Sequence, residues 1–280
     1  MRDQHLEELE EIDQKAYSYI SGVWQTLDDG ALTSFLLFMS LRIVEMKRVL
    51  KATGSVYLHC DNHASHYLKQ LMDIVFGIDN FRNEIIWCYA GPRRASKDFP
   101  RQHDIILRYV KGREWTFNED KIRIPHKRQT VSSGRGMAAG SRTLKEVQDL
   151  EVEQIKKGKV CPSWWSDIGS GSHMPKKERT GYPTQKPLKL YERIIKASSN
   201  EGDFVLDPFC GCATTLVAAE KLGRQWIGID IHPQTRTIVA NRIAEACSLN
   251  SPDGSVKVLD LEQGLDIHTF TKETFPARVD

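Results

Sequence analysis

The chain reads as an α/β protein built on a mostly parallel sheet, because short apolar strands alternate with amphipathic helices over much of its 280 residues. Two neighbouring stretches carry that reading furthest. Val205 to Thr215 (VLDPFCGCATT) is an apolar strand that runs into an acidic residue and then a turn of small residues opening a helix. About twenty residues later a second apolar strand, Trp226 to Ile229, ends in Asp230, where a carboxylate can take both hydroxyls of a ribose. With helix N–H groups and a slim turn beside it, such a unit suits an adenosine-bearing cofactor.

The elements follow in order. Residues 5–20 read as a polar helix and 22–30 as a loop holding Trp24. From Leu32 to Leu50 apolar residues recur at helical spacing (Phe35, Phe38, Met39, Ile43, Met46, Val49, Leu50), which predicts a helix with a wide core-facing stripe, ending near Thr53-Gly54. Ser55 to Cys60 is β-rich, and Ala64 to Phe76 is an amphipathic helix stopped by Gly77. Glu84 to Tyr89 and Asp104 to Val110 are strands separated by a basic loop. Residues 111–175 have weak periodicity, many Gly and Ser and repeated positive charge, apart from a helix at about Leu144 to Lys157, and read as an inserted recognition region. Leu188 to Ala197 is helical, Asp203 to Leu206 a buried strand, Thr214 to Lys221 a helix, Gln225 to Asp230 a strand, Pro233 to Cys247 a helix and Val256 to Leu261 a last strand. The implied division is an N-terminal helix and loop (1–30), an α/β core (31–110 and 176–262), the insertion (111–175) and a tail (263–280).

Charge is distributed unevenly. The formal net charge is only +2, yet residues 91–145 hold fourteen Lys/Arg against five Asp/Glu, while residues 1–20 hold six acids against two bases. A basic segment beside a cofactor unit suits a polyanionic substrate. The six cysteines include no CxxC pair, so reduced thiols are expected. The longest apolar stretch, inside Phe35 to Met46, is broken by Ser40, Arg42 and Glu45 and falls short of the roughly 20 residues a membrane span needs. The N-terminus lacks a signal peptide's basic start and apolar core, which predicts a cytoplasmic protein without membrane passage.

Candidate site residues follow from chemistry. Asp207, at the carboxyl end of its strand, can meet a cationic amine, and Gly211 lets backbone approach a ligand, while Cys212 and Ala213 keep the turn slim before Thr214. A dinucleotide fingerprint would want three glycines, and this turn has one. In the basic loop GPRRASKDFPRQHD, Arg93, Arg94, Lys97 and Arg101 surround Phe99, a composition suited to phosphates and an unstacked base, or equally to a merely solvated face. Lys127, Arg128, Arg135 and Arg142 form a second set. His59, Cys60, His63 and His66 look metal-like, but strand neighbours His59 and Cys60 must point oppositely, so no metal is expected. Cys161-Pro162 reverses the Pro-Cys order of a carbon-5 cytosine nucleophile, which disfavours a covalent route.

The turn VLDPFCGCATT, the strand WIGIDI and the preceding GYPTQKPLKLYERIIKASSNEGD resemble the S-adenosylmethionine-binding half of the bacterial amino-group DNA methyltransferases. The TQKP block ahead of the DPF block is similar to that family's permuted, beta arrangement. Upstream, GSVYLHCDNHASHYLKQLMDIVFG, FRNEIIWCY and HDIILRYVKG resemble its later strands and helices, so the likeness covers roughly residues 32–245. It implies a Rossmann-like, circularly permuted methyltransferase fold with an inserted DNA-recognition region, S-adenosylmethionine as cofactor and double-stranded DNA as partner. It also implies cofactor roles for Asp207, Phe209, Gly211, Thr214, Asp230, Thr184 and Lys186. Ala213 stands where many relatives have Gly, tolerable if its φ is negative. Relatives carry a (Asp/Asn/Ser)-Pro-Pro-aromatic block that holds the target amine of a flipped base, and this sequence contains no Pro-Pro dipeptide. The catalytic residues are therefore not assigned, and three explanations stand: a truncated start, a split enzyme completed by a second polypeptide, or a binding relic without turnover.

Overall fold

A computed structural model of the chain describes residues 2–89, 97–126, 144–170, 174–248, 256–260 and 268–272. Two helices open it, α1 (Arg2–Ile12) and α2 (Gln14–Leu27), separated at Asp13, whose carboxylate accepts from Lys15 N at 3.1 Å and Ala16 N at 3.0 Å and so caps α2. The predicted loop at 22–30 is thus mostly helix. Ala16, Ile20, Val23 and Trp24 share one apolar stripe packed on the core, and that burial outweighs the roughly 1 kcal/mol that Gly22 costs inside a helix.

Next come α3 (Ala31–Val49), β1 (Ser55–Cys60), α4 (Ser65–Phe76), β2 (Phe81–Cys88), β3 (His103–Val110), α5 (Leu144–Lys157) and the two-residue β4 (Trp164–Trp165). The strands form one sheet in the order β1-β3-β2-β4. Alternation along β3 decides which layer each residue serves: Ile105, Leu107 and Tyr109 pack with the α1–α4 layer, whereas Ile106 lies on the other face with Trp87, Trp165, Ile168 and Leu190.

The second half contains α6 (Leu188–Ser198), β5 (Phe204–Asp207), α7 (Thr214–Lys221), β6 (Gln225–Asp230), α8 (Pro233–Ser248), β7 (Val256–Asp260) and β8 (His268–Lys272). Its sheet has the order β5-β6-β8-β7, with its own core of α6, α7, α8 and Trp226. The two cores meet at α6. Leu190 packs with Trp87 and Trp165, while Ile195 packs with Leu216 and Trp226. The helix's C-terminus is pinned as well: Asn118 donates to the carbonyls of Lys196 and Ser199, Arg224 donates to Ser199 O, and Tyr57 Oη shares a 2.6 Å bond with Ser198 Oγ.

The expected mostly parallel sheet is corrected here, since only β2·β4 and β5·β6 pair in parallel and the other four described ladders are antiparallel. Connection chemistry explains it. The parallel pairs β5·β6 and β2·β4 each have a helix between them in the chain, α7 and α5, as parallel neighbours need, whereas no described helix separates β2 from β3 or β7 from β8. The expectation of a buried strand at β5 also fails, because β5 is an edge: among the described residues it pairs with β6 alone, and Phe204 is 45% and Leu206 39% exposed.

Ala213 does not have a negative φ but sits in the left-handed region at φ 62°, ψ 25°. Relief of this strain by Ala213→Gly, worth roughly 1–2 kcal/mol, opposes the loss of a buried methyl and a looser unfolded chain. Stability should change by less than about 1 kcal/mol, whereas Ala218→Gly, buried in regular α7, should cost about 2 kcal/mol. Urea denaturation of both variants checks the contrast; equal losses would disprove the strain.

Candidate functional site

The small-residue turn between β5 and α7 is held from below by β6. Cys210 N donates to Ile229 O at 3.0 Å, and Gly211 N donates to Asp230 Oδ2 at 2.8 Å. The other Asp230 oxygen accepts from His232 N at 2.8 Å and Thr235 Oγ1 at 3.2 Å, so one carboxylate ties the turn to the end of its neighbouring strand. Gly211 has φ 48°, and a methyl group placed on it would lie 3.3 Å from the Tyr182 ring. Glycine is needed there for backbone conformation and for close approach.

Asp207 starts the turn and accepts from Phe209 N at 3.0 Å. Its carboxyl is pushed above the ordinary carboxylate range, chiefly by removal from water, with the Asp230 charge adding to the shift. Phe209 is exposed on one side and stands 6.2 Å, ring to ring, from Phe38 of α3. Thr214 is buried, with its hydroxyl accepting from Arg242 at 3.1 Å. It therefore supports the helix start from inside.

The loop before α6 closes the turn. Gln185, which sequence reasoning passed over, is its organiser: its amide oxygen accepts from Thr180 N and Oγ1 at 2.8 and 2.9 Å, and its amide nitrogen donates to Glu178 O at 2.6 Å. Tyr182 and Lys186 flank it, and Thr184 is exposed. Lys186 reaches over to the first sheet, where its ammonium lies 3.4 Å from Asp104 Oδ2 and 5.7 Å from the Trp87 ring. Asp104 also receives His59 Nε2 at 2.8 Å and Tyr89 Oη at 3.0 Å. His59 meets Trp87 edge-on at 5.7 Å. The histidine that looked metal-like thus belongs to a polar cluster between β1, β2 and β3, and no group able to hold a metal occurs among the described residues.

Of the basic residues singled out for DNA, Arg93, Arg94, Lys127 and Arg128 lie outside the described residues, as do Arg135 and Arg142. Lys97 and Arg101 are described and exposed, with Phe99 between them 90% exposed. Arg101 Nη1 stands 3.0 Å from His63 Nε2. Trp164 is half exposed beside Lys159, whereas Trp165 is buried under Arg193, which forms a close ion pair with Asp167.

With this geometry in hand, comparison with known proteins decides the family. The model of the N6/N4 methyltransferase family, described as DNA methylase, matches residues 14–241. The chain belongs to the N6/N4 DNA methylase family. It is similar to the type II methyltransferase M.HpaI of Haemophilus parainfluenzae (32% identity over 221 residues, 78% of this chain and 62% of that one). It is also similar to the type II methyltransferase M1.MboII of Moraxella bovis (30%, covering 78% and 82%) and to the DNA adenine methyltransferase YhdJ of Escherichia coli K12 (32%, covering 69% and 61%). The chain spans 62%, 56% and 45% of the lengths of M.HpaI, M.EcaI and M.BamHI. Its fold is that of solved DNA methyltransferases: M1.HpyAVI in complex with SAM (TM-score 0.52, 21% identity, covering 82% and 96%) and the cytosine-N4-specific PvuII enzyme (TM-score 0.51, 16%, covering 83% and 72%).

The Asp104 cluster has a measurable consequence. Burial raises the Asp104 carboxyl, but the hydrogen bond from His59, the Lys186 charge and the Tyr89 hydroxyl outweigh it and bring the pKa down to about 2. A carboxylate whose folded pKa lies below its unfolded value stabilises the fold fully above the unfolded value, and that contribution fades as pH falls toward 2. Asp104→Asn should cost roughly 2 kcal/mol at pH 7, from the displacement between the usual 3.8 and 2. The gap between parent and variant in urea midpoints should narrow between pH 5 and 2.5. A gap independent of pH would show that the charge is not what matters.

Proposed function

We propose that this chain carries the cofactor and DNA-binding machinery of a site-specific methyltransferase, which moves a methyl group from S-adenosylmethionine to an exocyclic amine of adenine or cytosine in DNA. The observation that carries the reading is the Asp207-to-Gly211 turn, stapled to Asp230 and flanked by the 182–187 loop. The names of the relatives given above, type II or adenine DNA methyltransferases, support it. The residues fit the cofactor. Asp207, a carboxylate short of water and raised for that reason, is suited to an ammonium, Asp230 to the ribose hydroxyls, Phe209 to an apolar or aromatic face, and Lys186 to a carboxylate. Bound there, S-adenosylmethionine supplies a methyl group already activated on a sulfonium. The protein's share is to orient the reactants and exclude water.

The chain order, with the TQKP loop and DPF turn downstream of β1 to β3, supports the permuted beta-class reading, and residues 111–175 fit an inserted target-recognition region. Among the described residues no ladder covers the second edge of β5 or that of β1, and Leu206 is left exposed on the former. A parallel strand normally has both sides occupied. This supports a further strand, from polypeptide outside the described residues, that completes the sheet and brings the group holding the target base. No described helix is long and apolar enough to cross a membrane.

Two measurements test the reading. Asp207→Asn should weaken S-adenosylmethionine binding by about tenfold or more, while leaving urea stability equal or higher, because a desolvated charge is removed. Labelled-cofactor assays on duplex DNA should show transfer that appears or rises when a polypeptide carrying a Pro-Pro-aromatic block is added; a parent chain unable to bind S-adenosylmethionine would overturn the proposal. On the DNA side, Arg93→Ala with Arg94→Ala should weaken binding and flatten its salt dependence by nearly two charges, leaving cofactor affinity alone. Unchanged DNA affinity at low salt would remove these residues from the interface.

A further inference from the structure

Lys186 joins the 182–187 loop to the first sheet at Asp104 and beside Trp87, and nothing in the sequence links these residues. Their geometry is unequal. Asp104 receives His59 and Tyr89 at 2.8 and 3.0 Å but Lys186 only at 3.4 Å, long for a charge-assisted bond, which is normally about 2.7–2.9 Å. The carboxylate's demand is thus met mainly by its other two partners. Its pull on Lys186 is enough to orient the ammonium without consuming it. An ammonium has three donors, and the Lys186 side chain is 32% exposed while Asp104 is 15% exposed, so donors remain for a ligand approaching from solvent. The Trp87 ring at 5.7 Å restrains the same head group from a second direction. Trp87 is itself fixed, buried and donating from Nε1 to Ile168 O at 2.9 Å.

The same loop places Tyr182, four residues before Lys186, against Gly211 of the turn. We propose that Asp104 is a positioning residue for the ligand's carboxylate end: anchored by His59 and Tyr89, it holds Lys186 where a free α-carboxylate can pair with it, and thereby makes the site selective for nucleoside ligands that carry an amino-acid tail. This rests on the S-adenosylmethionine reading above. An unanchored Lys186 must be ordered by the ligand itself, and a flexible lysine loses up to about 2 kcal/mol of rotamer freedom when fixed.

The test compares two ligands that share the adenosine and thioether but differ in the tail. Calorimetric binding of S-adenosylhomocysteine and of 5′-methylthioadenosine to the whole chain is measured for the parent, Asp104→Asn, Asp104→Glu and Lys186→Gln. Asp104→Asn and Lys186→Gln should each weaken S-adenosylhomocysteine by about tenfold, the size of one oriented charge-assisted bond, and leave methylthioadenosine within about twofold. Asp104→Glu, which keeps the charge, should recover part of the loss, and the double variant Asp104→Asn with Lys186→Gln should be no weaker than either single one. Equal loss for both ligands would make Asp104 a general support of the fold and overturn the proposal, as would unchanged S-adenosylhomocysteine affinity. A parent that binds neither ligand fails earlier, at the cofactor reading itself.

Discussion

Burial of α6 from two sides is the constraint on which the rest of the site depends. Leu190 is fully buried against the first sheet's aromatic cluster and Ile195 against the second sheet's core, each worth about 1.5–3 kcal/mol. A rotation of the helix would sacrifice one core to the other. Its N-terminal approach must therefore leave the loop 182–187 between the sheets, with Tyr182 on the Asp207–Gly211 turn and Lys186 on Asp104. The C-terminal anchors at Ser198 and Ser199 fix the helix along its length, which fixes where β5 begins.

What could be read in the sequence was what depends on neighbours in the chain. β1, α5, α7 and β6 appear with the bounds that periodicity and turn residues indicate, because each carries its own pattern of apolar spacing and its own stop. The loop assigned to Gly22 misread a glycine whose helix is sustained by tertiary packing. Ala213 was misjudged for a related reason: the turn's conformation is imposed by Gly211 N on Asp230 and Cys210 N on Ile229, contacts nineteen residues away in the chain, and a local preference against positive φ yields to them. The Asp104 cluster joins residues 59, 89, 104 and 186. No short motif contains it, and only the antiparallel register that sets His59 beside Ile106 and Trp87 beside Asp104 brings it together.

The mixed pairing of the sheets has a bearing on function. An all-parallel sheet would have required crossover helices where the chain instead uses short returns, and those returns put the C-terminal end of β2 next to the N-terminal end of β3. The polar cluster grows from that junction. The exposed loop with Lys97, Phe99 and Arg101 leaves from the same place, so the basic surface and the Lys186 anchor share one root in the fold.

Charge around the Asp207–Gly211 turn leaves Asp207 less settled than Asp230 and Asp104. Asp230 has three donors and Asp104 has three, so both carboxylates are settled within the protein. Asp207 has the nearby Thr215 hydroxyl and the Phe209 N–H, but loss of water and the like charge of Asp230 outweigh them, which is why its pKa moves up while that of Asp104 moves down. A half-buried carboxylate of this kind weakens the free protein at neutral pH, since its ionisation is opposed there. A cationic group placed beside it removes that opposition, so ligand binding and ionisation of Asp207 reinforce each other. Under the proposed function, Lys186 and Asp207 together would match a ligand that bears an anion at one point and cations at others, a charge pattern that a plain nucleotide with its phosphates does not have.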